Sequence, residues 1–193
     1  MDAAMAGLLT AAVGVAGTLG SAWLTQNRGD ALRREEWERQ DRARRAESDA
    51  QRADTGRAAL RESYTELNAA ARHYLTTLSD YYHALRAVSD GVPQESVTAD
   101  ETLAAVEAAR VEYRRLYAEA QMIVPDAVLV EVRRASHRLG AVYGALIRLT
   151  RGTAREGDDL AAVRDAVQET WDVLARMRVA MRRDLGTTGP SPR

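Results

Sequence analysis

The chain has 193 residues, with 27 basic residues against 28 acidic ones and a formal net charge of −1. It contains no Cys, which excludes disulfides, thiolate nucleophiles and cysteine-based zinc or iron–sulfur sites. So even a balance also lacks the basic excess of a dedicated nucleic-acid surface, and no nucleic-acid partner is expected.

Residues 3–27 carry no charge; Asp2 precedes them and Arg28 ends the run. As a helix they reach roughly 37 Å at about 1.5 Å per residue, enough to cross a hydrocarbon layer of ~30 Å with some tilt. The expectation is a transmembrane helix. Leu8, Leu9, Val13, Val15, Leu19 and Leu24 each favour insertion by about 0.3–0.6 kcal/mol, while the interspersed Gly, Thr and Ser residues subtract from that gain. The alternatives are a core helix packed on protein, a disordered end, and a secretory signal cleaved after Gly20-Ser21-Ala22. The last is disfavoured because no basic residue precedes the apolar run.

Small residues recur along this stretch. Gly7, Gly14 and Ser21 repeat every seven positions, and Ala12, Ala16 and Gly20 every four. Each set forms a smooth stripe on which a second helix can approach closely, which leaves two readings: a homo-oligomer in the membrane, or the chance recurrence of small residues in an Ala/Gly-rich run. No Lys or Arg precedes the span, whereas Arg28, Arg33, Arg34 and Arg39 follow it, with Arg42, Arg44 and Arg45 beyond. This asymmetry orients a single-pass protein of the cell membrane with its N-terminus outside and its body in the cytoplasm.

Residues 28–56 form a charged neck. Asp30 is placed to cap a new helix from Ala31 after the Asn27-Arg28-Gly29-Asp30 break. Glu35–Arg39, Glu38–Arg42 and Asp41–Arg45 are i,i+4 pairs in the favourable order. Trp37 suits the lipid headgroup level, an exposed position or an oligomer contact. Ala43, Ala46, Ala50 and Ala53 then mark a small-residue seam at 3-4-3 spacing. The neck reads as a helical stalk that could pair with a second copy, or as a partly helical linker interrupted at Gly56.

Residues 57–186 read as a helical bundle. The seam continues in phase through Leu60, Tyr64, Leu67, Ala71, Tyr74, Leu78, Tyr81, Leu85 and Val88, and stops at Gly91 and Pro93. A second helix opens on the capping-box pattern Thr98-Ala99-Asp100-Glu101. Its face is Leu103, Val106, Tyr113, Leu116, Tyr117, Ala120 and Ile123, with Arg110 interrupting the stripe. Pro125 starts a third helix with Val128, Val132, Ala135, Leu139, Val142, Leu146 and Leu149 inward, and Gly140 and Gly144 near that face for close crossing. After a loop over residues 152–157, Gly157 or Asp158 caps a fourth helix on Leu160, Val163, Val167, Thr170, Leu174, Met177 and Met181. Gly186 stops it, and residues 187–193 form a loose tail. The expected fold is all-α: an antiparallel four-helix bundle, or a three-helix bundle with a long projecting first helix.

Little in this pattern carries chemistry. A ferritin-type di-iron site needs Glu-x-x-His motifs, and the nearest approach is the single Asp80-Tyr81-Tyr82-His83. His73 and His137 flank seam positions and read as boundary residues. There is no Gly-x-Ser-x-Gly elbow, no Gly-x-x-x-x-Gly-Lys loop and no dinucleotide fingerprint. The seven tyrosines read as packing groups with their hydroxyls at wet edges. No catalytic, cofactor-binding or metal-binding residue is assigned, and no small-molecule substrate. The expected role is a non-enzymatic scaffold with an unknown protein partner at the membrane.

The segments Gly17-Thr18-Leu19-Gly20-Ser21 and Thr25-Gln26-Asn27-Arg28, the Arg/Glu neck and the helix turn Val124-Pro125-Asp126-Ala127-Val128 carry a family likeness. In this layout the chain resembles small actinobacterial single-pass membrane proteins of unknown function, including KilB-type spread proteins of Streptomyces conjugative plasmids. The resemblance implies an integral membrane protein linked to plasmid spread, with growth inhibition when unregulated, and no catalytic residues.

Overall fold

The structure is a computed structural model describing the backbone of residues 3–91 and 99–187 and the side chains of 36–91 and 100–187. Four helices follow in chain order: α1 (Ala3–Ser89), α2 (Ala99–Ile123), α3 (Asp126–Thr150) and α4 (Leu160–Asp184). No strand occurs among the described residues, and the protein is an all-α helical bundle. The chain divides into two units, Met1–Thr55 and Gly56–Arg193.

In the first unit the backbone is helical through Asn27-Arg28-Gly29-Asp30, where the sequence pattern suggests a break. One glycine costs a helix about 1 kcal/mol, less than ending it and nucleating another. Strong helix formers on both sides carry the helix through, and the same holds at Gly56. Of residues 36–55 all are exposed except Ser48, which is half-buried. Glu38–Arg42 (4.0 Å), Asp41–Arg45 (3.9 Å) and Asp49–Arg52 (3.2 Å) pair along the helix. Among the described residues no helix is long and apolar enough to cross a membrane. The side chains of 3–27, on which that expectation rests, lie outside them.

In the second unit, residues 56–89 of α1 join α2, α3 and α4 around one core. Leu67, Leu78, Val106, Val132, Leu139 and Met177 are fully buried in it. Neighbouring helices run antiparallel. On α1 and α4, Tyr64 donates to Asp184 at 2.8 Å, and Arg72 sits 5.7 Å from the Trp171 ring. On α3 and α4, Arg138 pairs with Glu169, and Arg148 with Asp158. Residues 64–82 of α1 are thus part of the core together with the other three helices.

The seams are wider than the sequence stripes. Leu75, Tyr82, Leu129 and Val173 are buried beside seam positions. A helix in a globular core buries about three positions in seven, not the two of a coiled coil. Two expected core residues face water: Val88 is 61% and Ile123 51% exposed. Each lies at the last turn of its helix, past the final core layer. Gly140 and Gly144 do not serve a close crossing. A Cβ at Gly140 would meet nothing within 4 Å, and at Gly144 only the Arg148 guanidinium.

The helix ends follow from local chemistry. Gly152 and Gly186 adopt φ of 66° and 67°, which costs glycine little. At each, the glycine N–H and the next threonine N–H return to carbonyls of the last turn, satisfying groups the helix leaves open. The cap of α4 is Asp159, whose carboxylate accepts from the Ala162 N–H at 2.7 Å, not Asp158 or Gly157. Asp158 is occupied otherwise: it accepts from Arg148 at 2.6 and 2.8 Å and from the Arg155 N–H at 2.9 Å. The Arg148 hydrogen bonds, with that backbone N–H, hold its carboxyl well below the usual carboxylate range. The capping box at Thr98 and residues 188–193 of the tail lie outside the described residues.

Candidate binding site

On α2, Glu107, Arg110 and Arg114 are spaced by three and four, so they share one helix face. Arg110 falls inside an otherwise apolar stripe and must be neutralised there. Its guanidinium donates to Glu107 at 3.0 Å and lies 4.4 Å from the centroid of the Tyr143 ring on α3. Tyr143 donates its hydroxyl to the other Glu107 oxygen. Carboxylate, guanidinium and phenol thus close a triangle that ties α2 to α3.

Each member shifts the others. The Tyr143 hydrogen bond lowers the Glu107 pKa, with help from Arg110 and against partial burial. Burial and the Glu107 bond raise that of Tyr143. Burial opposes the Arg110 charge, but Glu107 and the surrounding phenols outweigh it. The triangle is therefore fully ionised, apart from its neutral phenol, across the physiological range.

One turn further along α2, Tyr113 packs against Tyr74 of α1 with ring centroids 5.8 Å apart and 30° between planes. Tyr117 stacks on Tyr113 as well, at 6.1 Å. Tyr113 is only 2% exposed. Burial pushes its phenol well above the ordinary value, offset in part by the Ser136 hydroxyl. The Tyr113 hydroxyl is sealed from solvent with Ser136 as the polar group beside it, but the two do not meet in good hydrogen-bond geometry. An open surface groove of about 250 Å³ lies here beside Tyr143, with the almost wholly buried Tyr74 and Tyr113 at its floor. Arg110 and Arg114 line it from α2, and Ser136 and Gly140 from α3.

The residues singled out by sequence lie elsewhere. Gly7, Ala12, Gly14, Ala16, Gly20, Ser21, Arg28, Arg33 and Arg34 have side chains outside the described residues. Arg39 is exposed on α1, as are Ala43, Ala46, Ala50 and Ala53. Trp37 is 72% exposed. His73, Asp80, His83 and His137 are all exposed, and His83 meets Tyr82 edge-on at 5.0 Å. Among the described residues no three His, Asp or Glu side chains converge as a metal site would require. The sequence signal for the Tyr–Arg cluster is faint: Arg110 in an apolar stripe, with an acid three residues before it.

No family model, curated protein or solved structure matches the chain.

Proposed function

We propose that this chain is a non-enzymatic, membrane-tethered helical module that presents a protein-interaction surface at the cytoplasmic face. In this reading residues 3–27 sit in the lipid, and Arg28, Arg33, Arg34 and Arg39 hold the body on the cytoplasmic side. The partner closest at hand is a second copy, joined through the small-residue stripes and the Ala43–Ala46–Ala50–Ala53 seam.

The observation that carries the reading is the state of residues 36–55. They are helical, yet they have no core of their own and nearly every side chain faces water. A helix polar on all sides suits a solvated stalk held by intrahelical pairs. Its one apolar regularity is the alanine seam, and small a and d positions let two such helices approach closely.

The chain has no Cys, so single cysteines can be introduced without background. Ala46→Cys and Ala50→Cys should give disulfide-linked dimers in isolated membranes, and the off-seam Ser48→Cys should not. The full-length chain should stay with the membrane pellet through a carbonate wash. Quantitative recovery from a detergent-free supernatant overturns the tether, and equal crosslinking at all three positions overturns the seam.

A further inference from the structure

A cleft between α1 and α4 holds polar side chains that the fold leaves unused. It encloses about 100 Å³ and is lined by Asn68 and Arg72 of α1 and by Trp171, Leu174, Ala175 and Arg178 of α4. The buried Leu174 and the short Ala175 supply its apolar part. Both arginines are exposed, and Asn68 and Trp171 are half-buried, so the polar groups of the lining are open to solvent. The Arg72 guanidinium rests 5.7 Å from the centroid of the Trp171 ring, which holds it in place. Among the described residues neither Arg72 nor Arg178 has an acidic partner, and the Asn68 side chain makes no hydrogen bond.

The acids of α4 are engaged elsewhere. Asp165 pairs with Arg164 at 2.9 Å, and Asp184 accepts from Tyr64 at 2.8 Å. Glu169 and Asp172 line a different groove on the α3 side, with Arg138 and Arg176. Two like charges thus line one small space from opposite helices, and no carboxylate lines it with them. An anion placed there is attracted from both sides.

The lining also limits which anion. The guanidinium and indole N–H groups can only donate, and the Asn68 amide can donate as well. A space of about 100 Å³ exceeds the ~30 Å³ of one water and falls short of the ~150 Å³ that holds benzene. It suits one compact oxyanion and excludes a ring. A carboxylate offers two oxygens in one plane, which a single arginine fork satisfies. A phosphate group offers three or four in a tetrahedron, which donors on two helices can share.

We infer that this cleft binds a phosphate group, held by Arg72 from α1 and Arg178 from α4, with Asn68 and the Trp171 indole as further donors. Free phosphate and the phosphomonoester headgroup of an anionic lipid share this chemistry. The inference stands apart from the membrane tether and the alanine seam, since every residue in it belongs to the bundle.

The test uses the purified full-length chain in non-ionic detergent at low salt, with inorganic phosphate, glycerol 3-phosphate and acetate as probes in calorimetry. Phosphate should bind saturably and raise Tm, and acetate should bind about tenfold more weakly or worse. Glycerol 3-phosphate carries the headgroup chemistry without the lipid chains. Binding tighter than phosphate assigns the cleft to a headgroup, and equal or weaker binding assigns it to the free ion; both support the site. Arg72→Gln and Arg178→Gln should each weaken phosphate by about tenfold. Arg176→Gln removes the same charge from the same helix but outside the cleft, and should change affinity less than about twofold. Arg178→Gln should leave the Tm of the ligand-free chain unmoved, because Arg178 makes no hydrogen bond or ion pair among the described residues, so its lost binding is not lost folding. Three results overturn the proposal: no saturable phosphate binding at millimolar concentration, acetate binding as tightly as phosphate, or Arg176→Gln weakening phosphate as much as Arg178→Gln does.

Discussion

The neck and the bundle are built from the same secondary structure under opposite rules. Residues 36–55 hold a helix with side-chain pairs on a solvated surface, and each such pair contributes only about 0.2–0.5 kcal/mol. Residues 56–187 hold theirs by burying Leu, Val, Met and Tyr against each other, at about 1.5–3 kcal/mol per large side chain. Both share the 3-4 seam, and it runs in phase from Ala43 to Leu85. What changes is the size of the seam residue: alanine before Gly56, and leucine and tyrosine at every position but Ala71 from Leu60 to Leu85. Periodicity decides that a segment is helical, and seam volume decides whether it has a tertiary core.

The sharpest way to break this contrast is to give the bundle a neck-like seam. Leu78 is fully buried, and Leu78→Ala should cost about 2–5 kcal/mol, read as a large fall in the urea midpoint of the bundle. The signal should appear in near-ultraviolet circular dichroism, where the bundle tyrosines report packing and residues 38–59 contribute no aromatic group.

Alkaline pH acts on the bundle alone, with a smaller effect. Burial raises the phenols of Tyr74 and Tyr113 well above their ordinary value. A raised folded-state pKa means that their contribution is complete below pH ~10 and is lost as the unfolded chain begins to ionise. Each phenol that ionises only on unfolding then removes at most about 1.4 kcal/mol per pH unit. Absorbance at 295 nm should rise in two phases, the second coinciding with loss of the folded signal. A single phase with the fold intact would show that both rings titrate in place.

Leu75, Tyr82, Leu129 and Val173 lay outside the sequence stripes. The bundle helices, their order and most of the core positions were legible in the spacing of apolar residues. Val88 and Ile123 were not, because periodicity does not say where a neighbouring helix stops. The cap of α4 was misread by one residue for a related reason: Asp158 and Asp159 are both suitable caps, and only the Arg148 side chain from α3 decides between them. The Tyr–Arg groove was the least legible feature. Its walls come from three helices, so no local stretch of chain contains it. Gly140, a glycine that looks suited to close packing, instead sits exposed beside it. Grooves are defined by what neighbours fail to fill, and a single helix pattern carries no record of that.

The smallest predicted effect sharpens the comparison from the other side. Glu38 and Arg42 are each about 70% exposed, and their 4.0 Å pair is among those that hold the neck. Glu38→Gln should lower neck helicity by an amount worth about 0.2–0.5 kcal/mol, and added salt should erase the difference from wild type. The bundle's urea midpoint should not move, because Glu38 touches nothing in its core. Far-ultraviolet circular dichroism across a salt series reads the first effect and the near-ultraviolet tyrosine signal reads the second. If Glu38→Gln shifts both signals together, the two units unfold as one, and the distinction between a paired-charge helix and a buried-seam helix loses its thermodynamic meaning.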